Sequence, residues 1–177
     1  MKTAANLFAA FLLVLPVLHA GDWKKELRRE MPLLGHRNWI VIADAAYPWQ
    51  VSPGITTIET GASQTEVVRT VLRELDKTSH VTPAVLIDRE LDAVPEEASP
   101  GVGSYRAELA TLLLGKNPTR MPHEEIIRKL DEAGKTFHVL ILKTTMTQPY
   151  TSVFLQLQCG YWDAEREAAL CGVLRKN

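Results

Sequence analysis

Cysteine is scarce: Cys159 and Cys171 are the only two. They form no C-x-x-C and no Cys/His pattern at zinc spacing, which leaves thiol redox and structural zinc chemistry without a motif. In an oxidising compartment a disulfide between them would add on the order of 3 kcal/mol; two free, partly buried thiols fit the sequence equally well. Excess charge is also missing. Twenty Lys and Arg against 21 Asp and Glu leave a net charge of −1, no electrostatic footprint for nucleic acid or an anionic membrane. There is no G-x-S-x-G elbow and no serine in a triad context, which sets a secreted hydrolase aside. Repeats and low-complexity tracts are absent too. The amino-terminal apolar run, Leu7 to Leu18, is roughly 12 residues where a bilayer span needs about 20.

That run has another reading. Lys2 precedes it, only Pro16 interrupts it, and His19-Ala20-Gly21 ends it with small residues. This is the order of a secretory signal peptide, expected over residues 1–20, with a mature domain over 21–177 and a periplasmic or extracellular location. The remainder is ordinary globular sequence, 46% hydrophobic and 23% charged in 177 residues, enough for one substantial core.

Periodicity then divides the chain. Asp22 can cap a helix through Leu34, in which Trp23, Leu27 and Met31 recur every four residues before Gly35 stops it. Trp39–Ala43 reads as a buried strand and 56–60 as a second. Ser63 and Glu66 open a helix over 64–77 with Val67, Val68, Val71, Leu72 and Leu75 on one face. A strand is expected over 82–87 and an exposed acidic loop over 88–102. Helices follow over 104–114 and 122–133, strands over 137–142 and 152–158, and a charged helix over 163–170. Strands and helices alternate, so the class is α/β, a single domain with a central sheet flanked by helices.

Chemistry-bearing residues sit at the strand ends. His36 and Asp44 bracket the first strand, eight positions apart. An extended chain of that length spans over 20 Å, so they share a site only if the chain folds back or a second copy contributes. Alone, they read first as a solvated turn histidine and a turn-forming aspartate. Tyr150 and Ser152, just before the last strand, add a phenol and a hydroxyl. Together the four supply proton donors and acceptors without a strong nucleophile, a set suited to reversible proton transfer on a polyhydroxylated ligand.

Gly35, His36, Asn38, Asp44, Ala45 and Pro48 fit G-H-x-(D/N)-x5-D-A-x-x-P, which resembles the amino-terminal motif of the ribose pyranase/fucose mutarotase (RbsD/FucU) family. Tyr150-Thr151-Ser152 is similar to that family's Y-x-N motif, with Ser152 in place of the usual Asn. The resemblance spans residues 31–159 and leaves 160–177 as an additional tail. It implies a cofactor-free isomerase that interconverts anomeric or ring forms of a free monosaccharide, in a ring-shaped homo-oligomer with sites near subunit contacts. A non-catalytic carbohydrate-binding member is the alternative. Under the resemblance His36 would donate a proton, Tyr150 would take part in proton transfer and sugar binding, and Asp44 and Ser152 would bind sugar hydroxyls. A further polar residue is expected from "TRMPHEEI", either Arg120 or His123, with the R-x-x-aromatic-E spacing favouring Arg120.

Overall fold

The computed structural model describes residues 22–175; the signal-peptide expectation lies outside them. Six strands form one mixed sheet: β1 (Trp39–Ala43), β2 (Ile55–Glu59), β3 (Val81–Asp88), β4 (Thr119–Met121), β5 (Val139–Lys143) and β6 (Val153–Cys159), in the order β2-β5-β1-β6-β3-β4. The helices are α1 (Trp23–Glu30), α2 (Gln64–Leu75), α3 (Val102–Leu112), α4 (His123–Ala133) and α5 (Ala164–Leu174). The expected α/β class stands, and β1 begins and ends where its apolar run does.

Why β1 is apolar at all five positions follows from its place. It lies between β5 and β6 at the centre of the sheet, and both faces are covered. Ile40 and Ile42 point into a core built with α1, α2 and α3, while Trp39, Val41 and Ala43 point into a second core against α4. β5 divides in the same way, Leu140 and Leu142 to one side and Val139 and Ile141 to the other. Period-two geometry thus turns a continuous apolar run into two separate buried faces.

The helix starts follow their capping chemistry. Asp22 and Ser63 accept the backbone N–H of Lys25 and Glu66, closing α1 and α2 at their amino ends. Three sequence expectations need correction. The first helix ends at Glu30 and tightens to a 3-10 turn over Met31–Leu33, because Pro32 cannot supply the next helical N–H. The acidic stretch after β3 is not a plain exposed loop: it opens on the fully buried Asp88 and coils into a 3-10 helix over Arg89–Ala93. β4 was not anticipated, since Thr-Arg-Met is too short and too polar at an edge to show periodicity. Both cysteines are free thiols. Among the described residues no helix is long and apolar enough to cross a membrane.

Phe154 is wholly buried in β6 on the α4 side. Phe154→Ala is expected to cost about 3–5 kcal/mol, read as a lower urea midpoint at unchanged slope.

Candidate functional site

Strand direction assembles the site. β1 and β3 run parallel in space with antiparallel β6 between them, so their last residues meet its first. Val153 pairs with Ile42 on one side and Ile87 on the other. Continuing that register by one residue sets Ser152 between Ala43 and Asp88, with Asp44 next along the chain and hydrogen-bonded to it. On the outer side Asp88 pairs with Met121 of β4, and His123 follows two residues later. Carboxyl ends of parallel strands at a change of sheet connectivity are where open α/β sheets bind ligands.

Four of the six residues singled out in the sequence gather here. The Ser152 hydroxyl donates to Asp44 Oδ2 (3.1 Å), and the Ala46 N–H donates to Asp44 Oδ1 (2.8 Å). The carboxylate of Asp44 is therefore oriented before any ligand arrives. The Tyr150 ring lies edge-on to His123, ring centroids 5.7 Å apart, and remains 39% exposed, open to a ligand. A cleft of about 410 Å³ opens beside Asp44, lined also by Ala45, Ala46, Thr147, Gln148 and Pro149.

The other two lie elsewhere in the chain. His36 is exposed before the amino end of β1, in a hollow of about 430 Å³ with Tyr161 and Trp162. Five strand residues at about 3.3 Å each separate the two ends of β1, so no side-chain rotation joins His36 to Asp44 in one copy. Arg120 sits on the exposed edge strand with its guanidinium held by Asp92. His123, not Arg120, stands beside Tyr150.

Backbone locks hold the cluster. The Gln64 side-chain amide, 1% exposed, donates to the carbonyls of Ile42 (3.0 Å) and Thr151 (2.8 Å) and accepts from the Thr144 hydroxyl (2.6 Å). The buried Tyr105 hydroxyl donates to the same Thr151 carbonyl at 2.6 Å. Both bonds grip the residue after Tyr150, which itself has φ of 59°, a left-handed conformation costing a bulky side chain roughly 1–2 kcal/mol.

Asp88, Gln64 and Tyr105 escaped the sequence reading. Asp88 had a usable signal: Leu86-Ile87-Asp88 repeats the apolar-strand-then-aspartate pattern of Ile42-Ala43-Asp44. Gln64 and Tyr105 fall within stretches read simply as helix, 64–77 and 104–114. The Asp88 side chain is 0% exposed; Oδ1 lies 3.1 Å from His123 Nδ1, and Oδ2 has no hydrogen-bond partner among the described residues. Burial raises its pKa from 3.8 to about 6; the neighbouring His123 opposes the rise, while Glu90 and Asp44 add to it. Burial, with the charges of Asp131, Asp44 and Asp88, likewise pushes Tyr47 up to about 12. Among the described residues, no cluster of three or more His, Cys, Asp or Glu is placed to hold a metal ion.

The model of the RbsD / FucU transport protein family matches residues 23–160. The chain belongs to this family. Among solved structures, the chain is similar to RbsD of Bacillus subtilis complexed with D-ribose, at 20% identity and a TM-score of 0.55, covering 78% of this chain and 93% of that one. FucU of Bifidobacterium longum matches at 14% identity and a TM-score of 0.50, over 74% of this chain and 90% of that one. The fucose mutarotase of Streptococcus pneumoniae in complex with L-fucose matches at 20% identity and a TM-score of 0.48, over 74% and 89%. At these identities the likeness is one of fold. No curated protein matches the chain. The RbsD/FucU match ends before α5, whose residues are almost all exposed.

The raised pKa of Asp88 has a stability consequence of definite sign. Between its ordinary 3.8 and about 6 the folded chain holds a proton that the unfolded chain has released. Stability is therefore lost as pH rises through about 6, by up to about 3 kcal/mol. Asp88→Asn cannot ionise there. Thermal melts of both proteins from pH 4 to pH 8 are expected to show the variant gaining on wild type by up to that amount. Parallel melting curves across the range would contradict the shift.

Proposed function

We propose that this protein is a sugar mutarotase or pyranase, interconverting anomeric or ring forms of a free monosaccharide by general acid–base ring opening. One observation carries the reading. A chain of the RbsD/FucU family gathers an oriented carboxylate, a hydroxyl, an imidazole and a phenol at the carboxyl ends of its parallel strands. The similar Bacillus RbsD structure, with D-ribose bound, supports a monosaccharide as ligand.

Ring opening needs one proton delivered to the ring oxygen and one removed from the anomeric hydroxyl. Histidine titrates near neutrality and works in either direction. His36 is the proposed donor. Its exposure and its distance from Asp44 support a donor supplied by a second copy, in a homo-oligomer whose sites straddle copies. Asp44 and Ser152 hold sugar hydroxyls, and His123 contributes a further hydrogen-bonding position. Tyr150, or a water it orients, accepts the anomeric proton. Ser152 does not span two sugar hydroxyls as the family's Asn would; it reaches the ligand through one hydroxyl shared with Asp44. The lysine, apolar run and small residues of positions 1–21 support action on an exported sugar pool.

Magnetisation-transfer NMR on ribose, fucose, galactose and glucose is the direct measurement. At least one sugar should exchange faster with protein present, and His36→Ala and Tyr150→Phe should each lower that rate by about 10²-fold. Equal rates with and without protein across all four sugars would refute the activity. Sugar-dependent thermal stabilisation without any rate effect would select the non-catalytic, sugar-binding alternative.

Sites that straddle copies make a second prediction. His36→Ala and Tyr150→Phe, inactive singly, should recover part of the exchange rate when denatured together and refolded as mixed oligomers. No recovery in mixtures shown to contain both variants would place His36 outside the site.

A further inference from the structure

Asp88 has no part in the chemistry above, and the fold gains little from it. A carboxylate removed wholly from water, with one oxygen unpartnered, is a net cost to folding. What the carboxylate does touch is the ring of His123, whose own position is fixed independently. The backbone N–H of His123 donates to both oxygens of Glu90, at 3.1 and 3.2 Å, anchoring the first residue of α4. With the backbone held there and Nδ1 held by Asp88, the ring is constrained at two points beside Tyr150.

We propose that Asp88 is a positioning residue for His123, fixing its ring as the Nδ1–H tautomer so that Nε2 faces the monosaccharide as a hydrogen-bond acceptor. The chemistry of the contact dictates the tautomer. An ionised carboxylate only accepts hydrogen bonds, so the nitrogen 3.1 Å from it carries the proton and the other nitrogen presents its lone pair. A sugar hydroxyl can then donate a hydrogen bond to Nε2, whose lone pair is left free by the proton that Asp88 holds on Nδ1. The groups facing this pair from its neighbours are Asp44 after β1, Tyr47 in the following loop, Glu90 after β3, Tyr105 of α3 and Tyr150 before β6. Two are carboxylates and three are phenols, so Asp88 does not act through a neighbouring cation in this set.

This role rests on the mutarotase reading, and the two are separable by experiment. Long-range nitrogen–proton NMR on the full-length protein reads the tautomer of His123 without any sugar. Above pH 7 the wild type should show the Nδ1–H form. In Asp88→Asn that preference should weaken. Sugar exchange in the variant should drop by about tenfold. An Nε2–H tautomer in the wild type overturns the proposal, whether or not the variant folds. So does a variant whose His123 tautomer, or whose exchange rate, equals that of active wild type. If wild type accelerates no sugar, the mutarotase reading falls, while the tautomer still decides whether Asp88 sets the proton on His123.

Discussion

The whole candidate site depends on one strand running the other way. β6 lies antiparallel between β1 and β3, two strands that point in a common direction. Were β6 parallel to them, Tyr150 and Ser152 would arrive at the opposite end of the sheet from Asp44 and Asp88. The antiparallel ladder instead sets the entry to the last strand against the exits of two earlier ones. Residues more than a hundred positions apart then meet through backbone register alone, as Ser152 and Asp44 do.

Gln64 and Tyr105 convert that register into a rigid platform. Each is buried, and each spends a side-chain hydrogen bond on the carbonyl of Thr151. Gln64 also reaches the Ile42 carbonyl, so one amide bridges the end of β1 and the start of β6. A buried amide is tolerable only when its donors and acceptor are satisfied, as they are here. The bridge opposes the strain of a tyrosine held at φ of 59°. The strained Tyr150 backbone and the incompletely satisfied buried Asp88 lie at this same end of the sheet. That distribution is the one expected where local stability is given up for chemistry.

The sequence was legible wherever burial repeats with a fixed period. β1 could be read without error because a central strand covered on both faces must be apolar throughout. α2 declared itself through the Ser63 cap and a valine-leucine stripe. The short edge strand β4 and the 3-10 coil after Asp88 carry no such repeat and stayed hidden. Asp44, Tyr150 and Ser152 were legible as polar residues at strand ends. Their grouping with His123 rather than Arg120 was not, because "TRMPHEEI" contains both and local spacing does not reveal which faces the sheet end. Asp88 was misread as the start of a solvated loop, since charge in sequence normally means water and only the covering elements made it buried.

By itself, then, the sequence determined the α/β class, the apolar strands, the helix caps and the motif residues that mark the RbsD/FucU family. These are local properties, set by side-chain period and short-range hydrogen bonding. Only the tertiary structure decided that Asp44, Ser152, His123 and Tyr150 share one end of the sheet, that His36 lies at the other, and that a buried Asp88 stands behind His123. Those facts come from strand order and direction, which are settled by how distant segments bury one another.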